Sequence, residues 1–306
     1  MANTDIIRKE LLERIEEKKK RLDSMRPLPK DALRRLHEEL RLLHTHHSNA
    51  IEGNTLTLSE TKLVVEEGIT IGGKPLKDCL EARNTANAYD LIEGLARGRK
   101  ITHEALQKIH EALTRGILED AGRYRTKNVR ITGAIKTPPN FSKVAGLMDR
   151  LLNRVNESKG NAVETSAFLH HNFVEIHPFS DGNGRVARLL NNLHLIRHGY
   201  PPIVLRREDR AKYYKSLRSA DAGNLAPFAN FIARAVDESL MQHLSIFGGK
   251  DELLPLKEVA RNSPYSQEYL SLRARQGKLA AVKINDMWHT SRRALEEYTL
   301  NISSQR

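Results

Sequence analysis

The chain has one cysteine, no long apolar run and no apolar leader, and each shortage excludes a class of protein. Cys79 is the single cysteine among 306 residues, so no intramolecular disulfide can form and a reducing compartment is expected. No apolar stretch is long enough to cross a bilayer. Residues 1–23 are charged and amphipathic, which is not typical of a secretory signal peptide. We therefore expect a soluble, cytoplasmic protein without membrane contact.

Three common chemical motifs are also missing from the sequence. A Walker phosphate loop is absent, which excludes the commonest class of ATPase. Neither CxxC nor HExxH occurs, so the histidine-rich positions give only weak support for zinc. Those histidines are His44, His46, His47, His170 and His171. Zinc binding is therefore kept as a minor alternative.

The positive charge of the chain, +12 overall, raises the question of a nucleic-acid partner. The most basic run is KKKR at residues 18–21, and Glu13, Glu16 and Glu17 lie beside it. A solvated helical face is therefore the favoured interpretation of this run. The length of 306 residues is enough to bury a sizeable core, and it predicts two domains, or three if the N-terminal helices are counted separately.

The most informative segment is residues 177–188, which read HPFSDGNGRVAR. Apolar residues at helical spacing precede and follow it, which predicts two helices joined by a short loop. Pro178 and the turn at residues 182–184 interrupt that spacing, so the second helix presents free backbone N–H groups to the loop. Helix ends of this kind bind phosphate.

The second half of this segment suits an anion. Gly182 and Gly184 lack a Cβ, so ligand oxygens can approach the backbone closely, and Asn183 can add a side-chain amide. Arg185 and Arg188 are three residues apart on the predicted helix, so both guanidinium groups can reach the same anion.

The first half of the segment supplies groups for chemistry. His177 has an ordinary pKa near neutrality, so it can take a proton from an attacking hydroxyl. Asp181 offers a hard oxygen ligand of the kind that holds Mg²⁺ together with nucleotide phosphates. Phe179 is interpreted as a structural anchor. Together these residues predict a site that binds a magnesium nucleotide and attacks one of its phosphates.

These residues resemble the signature of the Fic (filamentation induced by cAMP) family, HxFx(D/E)GNGRxxR, at all eight specified positions. The matching positions are His177, Phe179, Asp181, Gly182, Asn183, Gly184, Arg185 and Arg188. The resemblance implies transfer of AMP from ATP to a protein hydroxyl, with pyrophosphate as the leaving group. Some relatives carry lysine at the second glycine and phosphorylate instead, and Gly184 does not match that variant.

The resemblance also implies a role for each group. His177 would be the general base and Asp181 the Mg²⁺ ligand. Residues 182–184 would cradle the phosphates, while Arg185 and Arg188 would hold the β- and γ-phosphates.

A second segment, residues 48–53, matches the (S/T)xxxE(G/N) pattern that Fic relatives use for self-inhibition. Ser48, Glu52 and Gly53 occupy the three fixed positions. The resemblance implies that Glu52 pairs with Arg188 and occupies the place that the γ-phosphate needs. Downstream, Thr57 and Glu60 have the spacing of a capping box, which predicts a helix through residues 63 and 64.

Residues 122–139 are the one stretch of the core with β character, because apolar and polar residues alternate around Val129 and Ile131 and Gly133 can form a turn. The segment resembles the Fic flap, a hairpin that pairs with the extended backbone of the target. The residues expected to touch the target are Val129, Arg130, Ile131, Thr132 and Gly133. Tyr213 or Tyr214 is expected to border the adenine, and Tyr214 is the named candidate. The alternative is that the two adjacent helical tyrosines are simply one buried and one exposed residue.

The C-terminal residues 253–306 are predicted to form a separate unit after the Gly-Gly linker at 248–249. The pattern predicts a helix at 256–260, a second helix that Ser266 caps and Gly277 ends, a hairpin around residues 285–286 and a final helix from 292. This order resembles a small winged helix-turn-helix. Nine Lys or Arg and five Asp or Glu give a net charge of +4. Protein docking is favoured slightly over DNA binding, and both stay open.

We therefore expect a mainly α-helical protein with an N-terminal helical region and inhibitory helix at 1–100, a Fic core at 101–247 and a winged-helix-like domain at 253–306. The predicted activity is transfer of AMP from Mg-ATP to Ser, Thr or Tyr of a protein target. One alternative is removal of AMP by the same site, with Glu52 placing a water molecule. Another is a nucleotide-sensing regulator that binds DNA. Homodimers are common in the family that the chain resembles, so a homodimer is also open.

Overall fold

The computed structural model describes residues 6–131, 136–284 and 286–303. Within these ranges the chain is mainly α-helical, which confirms the predicted fold class. The helices are α1 Lys9–Ser24, α2 Lys30–Ile51, α3 Leu58–Glu66, α4 Leu76–Ala96, α5 His103–Thr114, α6 Val144–Asn156, α7 Ala162–Ile176, α8 Asn183–Arg197, α9 Arg210–Asp221, α10 Ala226–Ser245, α11 Leu256–Arg261, α12 Gln267–Arg275 and α13 Arg292–Ser303. The strands are β1 Leu254–Pro255, β2 Val282–Ile284 and β3 Met287–Thr290.

The chain divides into two compact units. The first comprises Met1–Arg8 and His37–Ala233, and the second comprises Lys9–Leu36 and Arg234–Arg306. Helices α2 and α10 therefore each run from one unit into the other. None of the helices in the described ranges has the combination of length and apolar character needed to cross a membrane. The predicted domain limits at residues 100, 247 and 253 stay predictions.

The core of the first unit is formed by apolar side chains from helices α4 to α8. Helix α8 is buried along nearly its whole length, including polar residues such as Asn192 and the two arginines Arg185 and Arg188. A buried polar side chain must find a hydrogen-bond partner inside the protein, because burial without one is costly. Asn192 does so by bonding both the N–H and the C=O of Ile203.

Local capping explains where two helices of the first unit begin. The Thr57 hydroxyl accepts a hydrogen bond from the Glu60 N–H at 3.2 Å, and the Glu60 carboxylate accepts one from the Thr57 N–H at 2.7 Å. This reciprocal pair is the predicted capping box and starts α3. The Asn161 side chain caps α7 by accepting from the N–H groups of Val163 and Glu164.

The second unit holds a buried ion network between α1 and the C-terminal half of α10. Asp237 accepts hydrogen bonds from Lys18 Nζ and from Arg14 Nη2, each at 2.7 Å. Lys18 and Asp237 are both only 4% exposed. Charges this deeply buried are tolerated because they are paired, so the network fixes where α1 lies.

The C-terminal elements follow the predicted order of helix, helix, hairpin and helix. Ser266 caps α12 by accepting from the Tyr269 N–H, and Gly277 beyond its end has a positive φ of 69°. Asp286 in the turn between β2 and β3 has a φ of 64°, which suits a two-residue hairpin. The pattern did not predict β1, whose Leu254 and Pro255 pair antiparallel with β3 and give the strand order β1-β3-β2.

Candidate active site

The loop of residues 177–182 joins the end of α7 to the start of α8. His177 closes α7 with a φ of 53°, and its N–H donates to the Phe173 carbonyl at 2.9 Å. This left-handed conformation is uncommon for a residue other than glycine, so the surrounding structure must hold it. Gly182, with a φ of 76°, then leads into α8. The loop therefore reverses the chain within six residues and places the His177 ring beside the start of α8.

The hydrogen bond of the His177 ring fixes which nitrogen can act as a base. Nδ1 lies 3.2 Å from the carbonyl oxygen of Val174, and a carbonyl can only accept, so Nδ1 carries the proton in the neutral ring. Nε2 is then left with its lone pair. Burial lowers the pKa of His177 below its usual 6.5, and the Arg125 charge acts in the same direction, while Asp181 and Glu52 oppose it. The ring is therefore neutral at neutral pH and ready to accept a proton.

The side chain of Asn183 holds the loop closed. Its Nδ2 donates to the Phe179 carbonyl at 2.9 Å, and its Oδ1 accepts from the Phe179 N–H at 3.0 Å. The Phe179 ring is fully buried and stacks on His110, with ring centroids 3.8 Å apart and planes 6° apart. These bonds use one of the two amide N–H groups of Asn183 and its carbonyl oxygen, so the second amide N–H and the backbone N–H are not accounted for by the loop. The assignment of Asn183 to phosphate binding stays a prediction.

The first turn of α8 forms an anion site, and the Glu52 carboxylate lies against it. Gly182 supplies no capping side chain, so the first N–H groups of α8 remain for another acceptor. A Cβ built on Gly184 would overlap Glu52 Oε1 and would lie 3.2 Å from Glu52 Cδ. The space that Gly184 leaves open is thus where the carboxylate sits.

Arg188 holds this carboxylate in place. Its Nη2 donates to Glu52 Oε1 at 2.8 Å and to the Ser48 carbonyl at 2.8 Å, and its Nε donates to Ser48 Oγ at 2.9 Å. The guanidinium is 2% exposed. Burial is the largest influence and works to lower the pKa of Arg188, but the charge and hydrogen bond of Glu52 together with Tyr213 and Tyr214 outweigh it, and the pKa is raised. The contact implied by the (S/T)xxxE(G/N) pattern is therefore present, and Gly53, with a φ of 100°, lets the chain turn away after it.

A second carboxylate, which the sequence interpretation missed, faces Arg185. Glu81 on α4 places Oε1 3.0 Å from Arg185 Nη1, and both side chains are buried. The Asn54 amide donates to the other Glu81 oxygen at 3.0 Å. Arg185 Nε and Nη1 nevertheless have no aligned hydrogen bond, and neither does Arg188 Nη1. Buried guanidinium N–H groups without an acceptor suit a ligand rich in oxygen atoms.

Asp181 is the exposed carboxylate of the loop. Its Oδ1 accepts a hydrogen bond from the Gly182 N–H at 2.6 Å, and the exposed side chain can still offer an oxygen to a cation. Among the residues that the structure describes, no three or more His, Cys, Asp or Glu side chains gather in a way that would hold a metal ion. Asp181 therefore suits a cation that takes its other ligands from a bound nucleotide.

Of the two adjacent tyrosines on α9, only Tyr214 is partly exposed. Tyr213 is 2% exposed, and its hydroxyl lies 2.9 Å from His170 Nε2. Tyr214 packs its ring under the guanidinium of Arg210, at 4.8 Å. Burial raises the pKa of Tyr214, and the Glu52 charge acts in the same direction, while the charges of Arg188 and Arg210 oppose it. Tyr214 is therefore the tyrosine that can border a nucleotide.

The predicted target-binding flap is only partly within the described residues. Thr132 and Gly133 lie outside them. Val129 and Ile131 are half-buried and Arg130 is exposed. The described residues 122–131 and 136–140 form no strand, so the hairpin stays a prediction.

A family model described as the Fic/DOC family matches residues 100–195, which include the loop. Among curated proteins, the protein adenylyltransferase Fic of Nematostella vectensis is 34% identical over 241 residues, which are 77% of this chain and 56% of that protein. The chain thus spans about half the length of the curated relatives it matches.

Solved structures give the same result. Fic-1 (residues 134–508) of C. elegans is 30% identical, with a TM-score of 0.70 over 78% of this chain and 72% of that one. A Fic family protein of Desulfovibrio desulfuricans G20 is 25% identical, with a TM-score of 0.67 over 95% of this chain and 97% of that one. With the signature loop in place, these similarities show that the chain belongs to the Fic/DOC family.

Proposed function

We propose that the chain transfers AMP from Mg-ATP to a Ser, Thr or Tyr hydroxyl of a protein target. The observation that carries this proposal is the contact of Glu52 with Arg188 at the start of α8, because it identifies an anion site with a built-in competitor beside a neutral histidine. The curated relatives named protein adenylyltransferase support the same activity.

His177 is the proposed general base. Its Nε2 accepts the proton of the target hydroxyl as the hydroxyl oxygen forms a bond to the α-phosphorus. The bond from the α-phosphorus to the bridging oxygen breaks in line with the attack, and pyrophosphate leaves with the electron pair. The tautomer fixed by Val174 keeps Nε2 unprotonated before the hydroxyl arrives.

The phosphates are proposed to bind at the start of α8. The N–H groups of residues 183–185, which have no partner within α8, provide donors that are already in place before the reaction. Arg185 Nε and Arg188 Nη1 add buried donors without an acceptor, whereas Arg185 Nη1 faces Glu81. Asp181 would hold Mg²⁺, which would neutralise charge on the phosphates and on the leaving pyrophosphate.

Glu52 is proposed to restrain this reaction. A carboxylate and a γ-phosphate compete for Arg188 Nη2, and they cannot both occupy the space beside Gly184. ATP would then bind only with its γ-phosphate displaced, so the α-phosphate would not face the incoming hydroxyl. Release of Glu52 would restore the productive position.

Hydrolysis of AMP from a modified protein is a second candidate, and one observation favours it. The Glu52 carboxylate lies at the first turn of α8, the helix to which the His177 loop leads, so a carboxylate that could orient a water molecule is already present at this helix end. This reaction would need Glu52 in place, whereas AMP transfer would need it removed. The effect of Glu52→Gly therefore separates the two candidates.

The test is incorporation of label from α-labelled ATP with Mg²⁺ into lysate proteins. The chains compared are wild type, Glu52→Gly, His177→Ala, the double variant, and Glu67→Gly as an exposed control. AMP transfer predicts strong labelling by Glu52→Gly and none by the double variant, with Glu67→Gly equal to wild type. Equal labelling by Glu52→Gly and the double variant would contradict the role of His177. Absence of labelling by a folded Glu52→Gly chain that binds ATP would contradict AMP transfer.

Three broader expectations also stay proposals. They are a cytoplasmic location, a homodimer, and a protein or DNA partner for residues 253–306.

A further inference from the structure

Arg125 connects the catalytic loop to both ends of the proposed target-binding segment. It is 4% exposed. Its Nε donates to the His177 carbonyl at 2.8 Å, its Nη1 to the Lys127 carbonyl at 2.9 Å and its Nη2 to the Pro139 carbonyl at 2.6 Å. The backbone N–H of Arg125 donates to the Pro178 carbonyl at 2.9 Å. One residue therefore makes four hydrogen bonds to backbone oxygens of three separate stretches of chain.

Two of these stretches lie on either side of the residues that the sequence analysis expects to touch the target, which are 129–133. Lys127 precedes residues 128–138 and Pro139 follows them, so both ends of the segment are tied to one guanidinium. A second tie lies further out, where the Phe141 N–H donates to Asn128 Oδ1 at 3.0 Å. Described residues on both sides of the segment are thus joined by hydrogen bonds.

The third stretch is the backbone of the proposed base. His177 has the left-handed φ of 53°, and such a conformation persists only when the surrounding structure holds it. The bond from Arg125 Nε to the His177 carbonyl and the bond from the Arg125 N–H to Pro178 hold the backbone immediately after that conformation. The orientation of the imidazole therefore depends on Arg125.

A buried arginine is an expensive way to fill this space, which argues for a positional role. All four acceptors are uncharged carbonyl oxygens, and burial lowers the pKa of Arg125 below its usual value. Only a guanidinium offers several N–H donors in a rigid planar fork, and an ammonium group presents its donors from a single point. Lysine at this position would keep the charge but would not reach three carbonyls at once.

We propose that Arg125 is a positioning residue that sets the distance and direction between the target-binding segment and the His177 ring. The proposal rests on the proposed function. Arg125 touches neither ATP nor the target; it brings the bound hydroxyl to Nε2. Loss of its fork should therefore slow the transfer step and leave nucleotide binding intact.

The test compares Arg125→Lys with Arg123→Lys, both in the Glu52→Gly chain. Arg123 is two residues earlier and exposed, so it is a matched control. The rate of AMP transfer to lysate proteins is measured against ATP concentration, and the affinity for a non-hydrolysable ATP analogue is measured by calorimetry. A displacement of about 1 Å at a reacting group costs up to about 100-fold, so we expect a loss of kcat of roughly 10- to 100-fold for Arg125→Lys. Its KM for ATP and its analogue affinity should match those of Arg123→Lys.

Two results would overturn the role of Arg125. One is an unchanged kcat in Arg125→Lys, and the other is a loss of analogue affinity equal to the loss of rate. If Arg125→Lys does not fold, Arg125→Gln decides, because its amide can still donate to a nearby carbonyl without burying a charge but cannot reach all three carbonyls. Slower transfer with unchanged analogue affinity would support the proposal, and full activity would contradict it. Failure of the Glu52→Gly parent to label any protein would instead count against the proposed function.

Discussion

The Glu52 carboxylate accepts a 2.8 Å hydrogen bond from Arg188 Nη2, although the two residues are 136 positions apart in the chain. The same carboxylate lies against Gly184, at the end of α8 where an anion binds best. On the proposed function, the Glu52 carboxylate and the γ-phosphate of ATP would compete for the Arg188 guanidinium and for the space beside Gly184. Substitutions of Glu52 that remove its charge or its whole side chain should therefore raise the rate of AMP transfer by different amounts.

Replacement of Glu52 should raise AMP transfer in proportion to the interaction it removes. Hydrogen bonds to charged groups contribute about 1.5–3 kcal/mol, so Glu52→Gly should raise the rate roughly 10- to 100-fold. Glu52→Gln keeps the shape and a neutral hydrogen bond, so its rate should fall between those of wild type and Glu52→Gly. Initial rates with α-labelled ATP measure the order. A Gln variant as active as the Gly variant would show that the charge, and not the space, is responsible.

The contact between Glu52 and Gly184 can be tested without any target protein. Gly184→Ala places a Cβ where Glu52 Oε1 lies, so it should destabilise the wild-type chain. It should cost much less in Glu52→Gly, where the space is open. Residues in contact show coupling energies of about 0.5–3 kcal/mol. The coupling energy between Glu52 and Gly184 is measured by urea unfolding of wild type, Gly184→Ala, Glu52→Gly and the double variant. Additive effects would contradict the observed position of the carboxylate.

The rate of Glu52→Gly should fall only at acidic pH. Burial lowers the pKa of His177 below 6.5, Arg125 lowers it further, and Asp181 and Glu52 raise it. Removal of Glu52 takes away one of the two raising charges, so the acid limb of kcat should lie below pH 6.5. The base is active when neutral, so the rate should be constant above that limb and should decrease as the pH falls through it. A midpoint at or above 6.5 would be inconsistent with a buried neutral base.

Asp237 should contribute strongly to stability because it is the acceptor of a buried ion network. Removal of one partner of a buried pair costs about 3–5 kcal/mol, and this loss is expected for Asp237→Ala at pH 7. Burial opposes ionisation, but Lys18 and Arg14 outweigh it and hold the pKa of Asp237 below 3.8. The contribution of ionised Asp237 to the free energy of unfolding is therefore fully present above pH 3.8, and it is lost as the pH falls through the lowered pKa.

The exposed pair of Lys250 and Glu296 provides the control for this experiment, because surface pairs contribute only about 0–1 kcal/mol. Glu296→Ala should therefore unfold at nearly the wild-type urea concentration. If Asp237→Ala and Glu296→Ala lost similar amounts of free energy of unfolding, burial would not determine how much these ion pairs stabilise the fold.

Local signals in the sequence predicted the parts of the structure that are built from neighbouring residues. The Thr57 and Glu60 capping box, the Ser266 cap and the turn at Gly182 each depend on residues within a few positions of one another. The predicted contact of Glu52 with Arg188 is long-range, and it came from resemblance to a family and not from spacing.

The parts that the sequence did not predict are contacts between distant residues that no local pattern encodes. Glu81 faces Arg185 from another helix, and Arg125 reaches His177 across 52 positions. The sequence assigned the Asn183 amide to phosphate, which stays a prediction, but it did not predict that the same amide also bonds the Phe179 backbone. One signal in the sequence could have indicated these contacts. A charged residue at a position that the helical pattern predicts to be buried must have a partner, because arginine and glutamate are rarely buried alone.

The most direct test of the account is to supply the Glu52→Gly chain with either α-labelled or γ-labelled ATP and to measure label on protein. In this variant the space beside Gly184 is no longer filled by Glu52, so the target hydroxyl can attack the α-phosphorus. We therefore predict label on protein from α-labelled ATP and none from γ-labelled ATP. The wild-type chain should give little label from either. Label from γ-labelled ATP would show phosphate transfer instead and would contradict the proposed chemistry of the site.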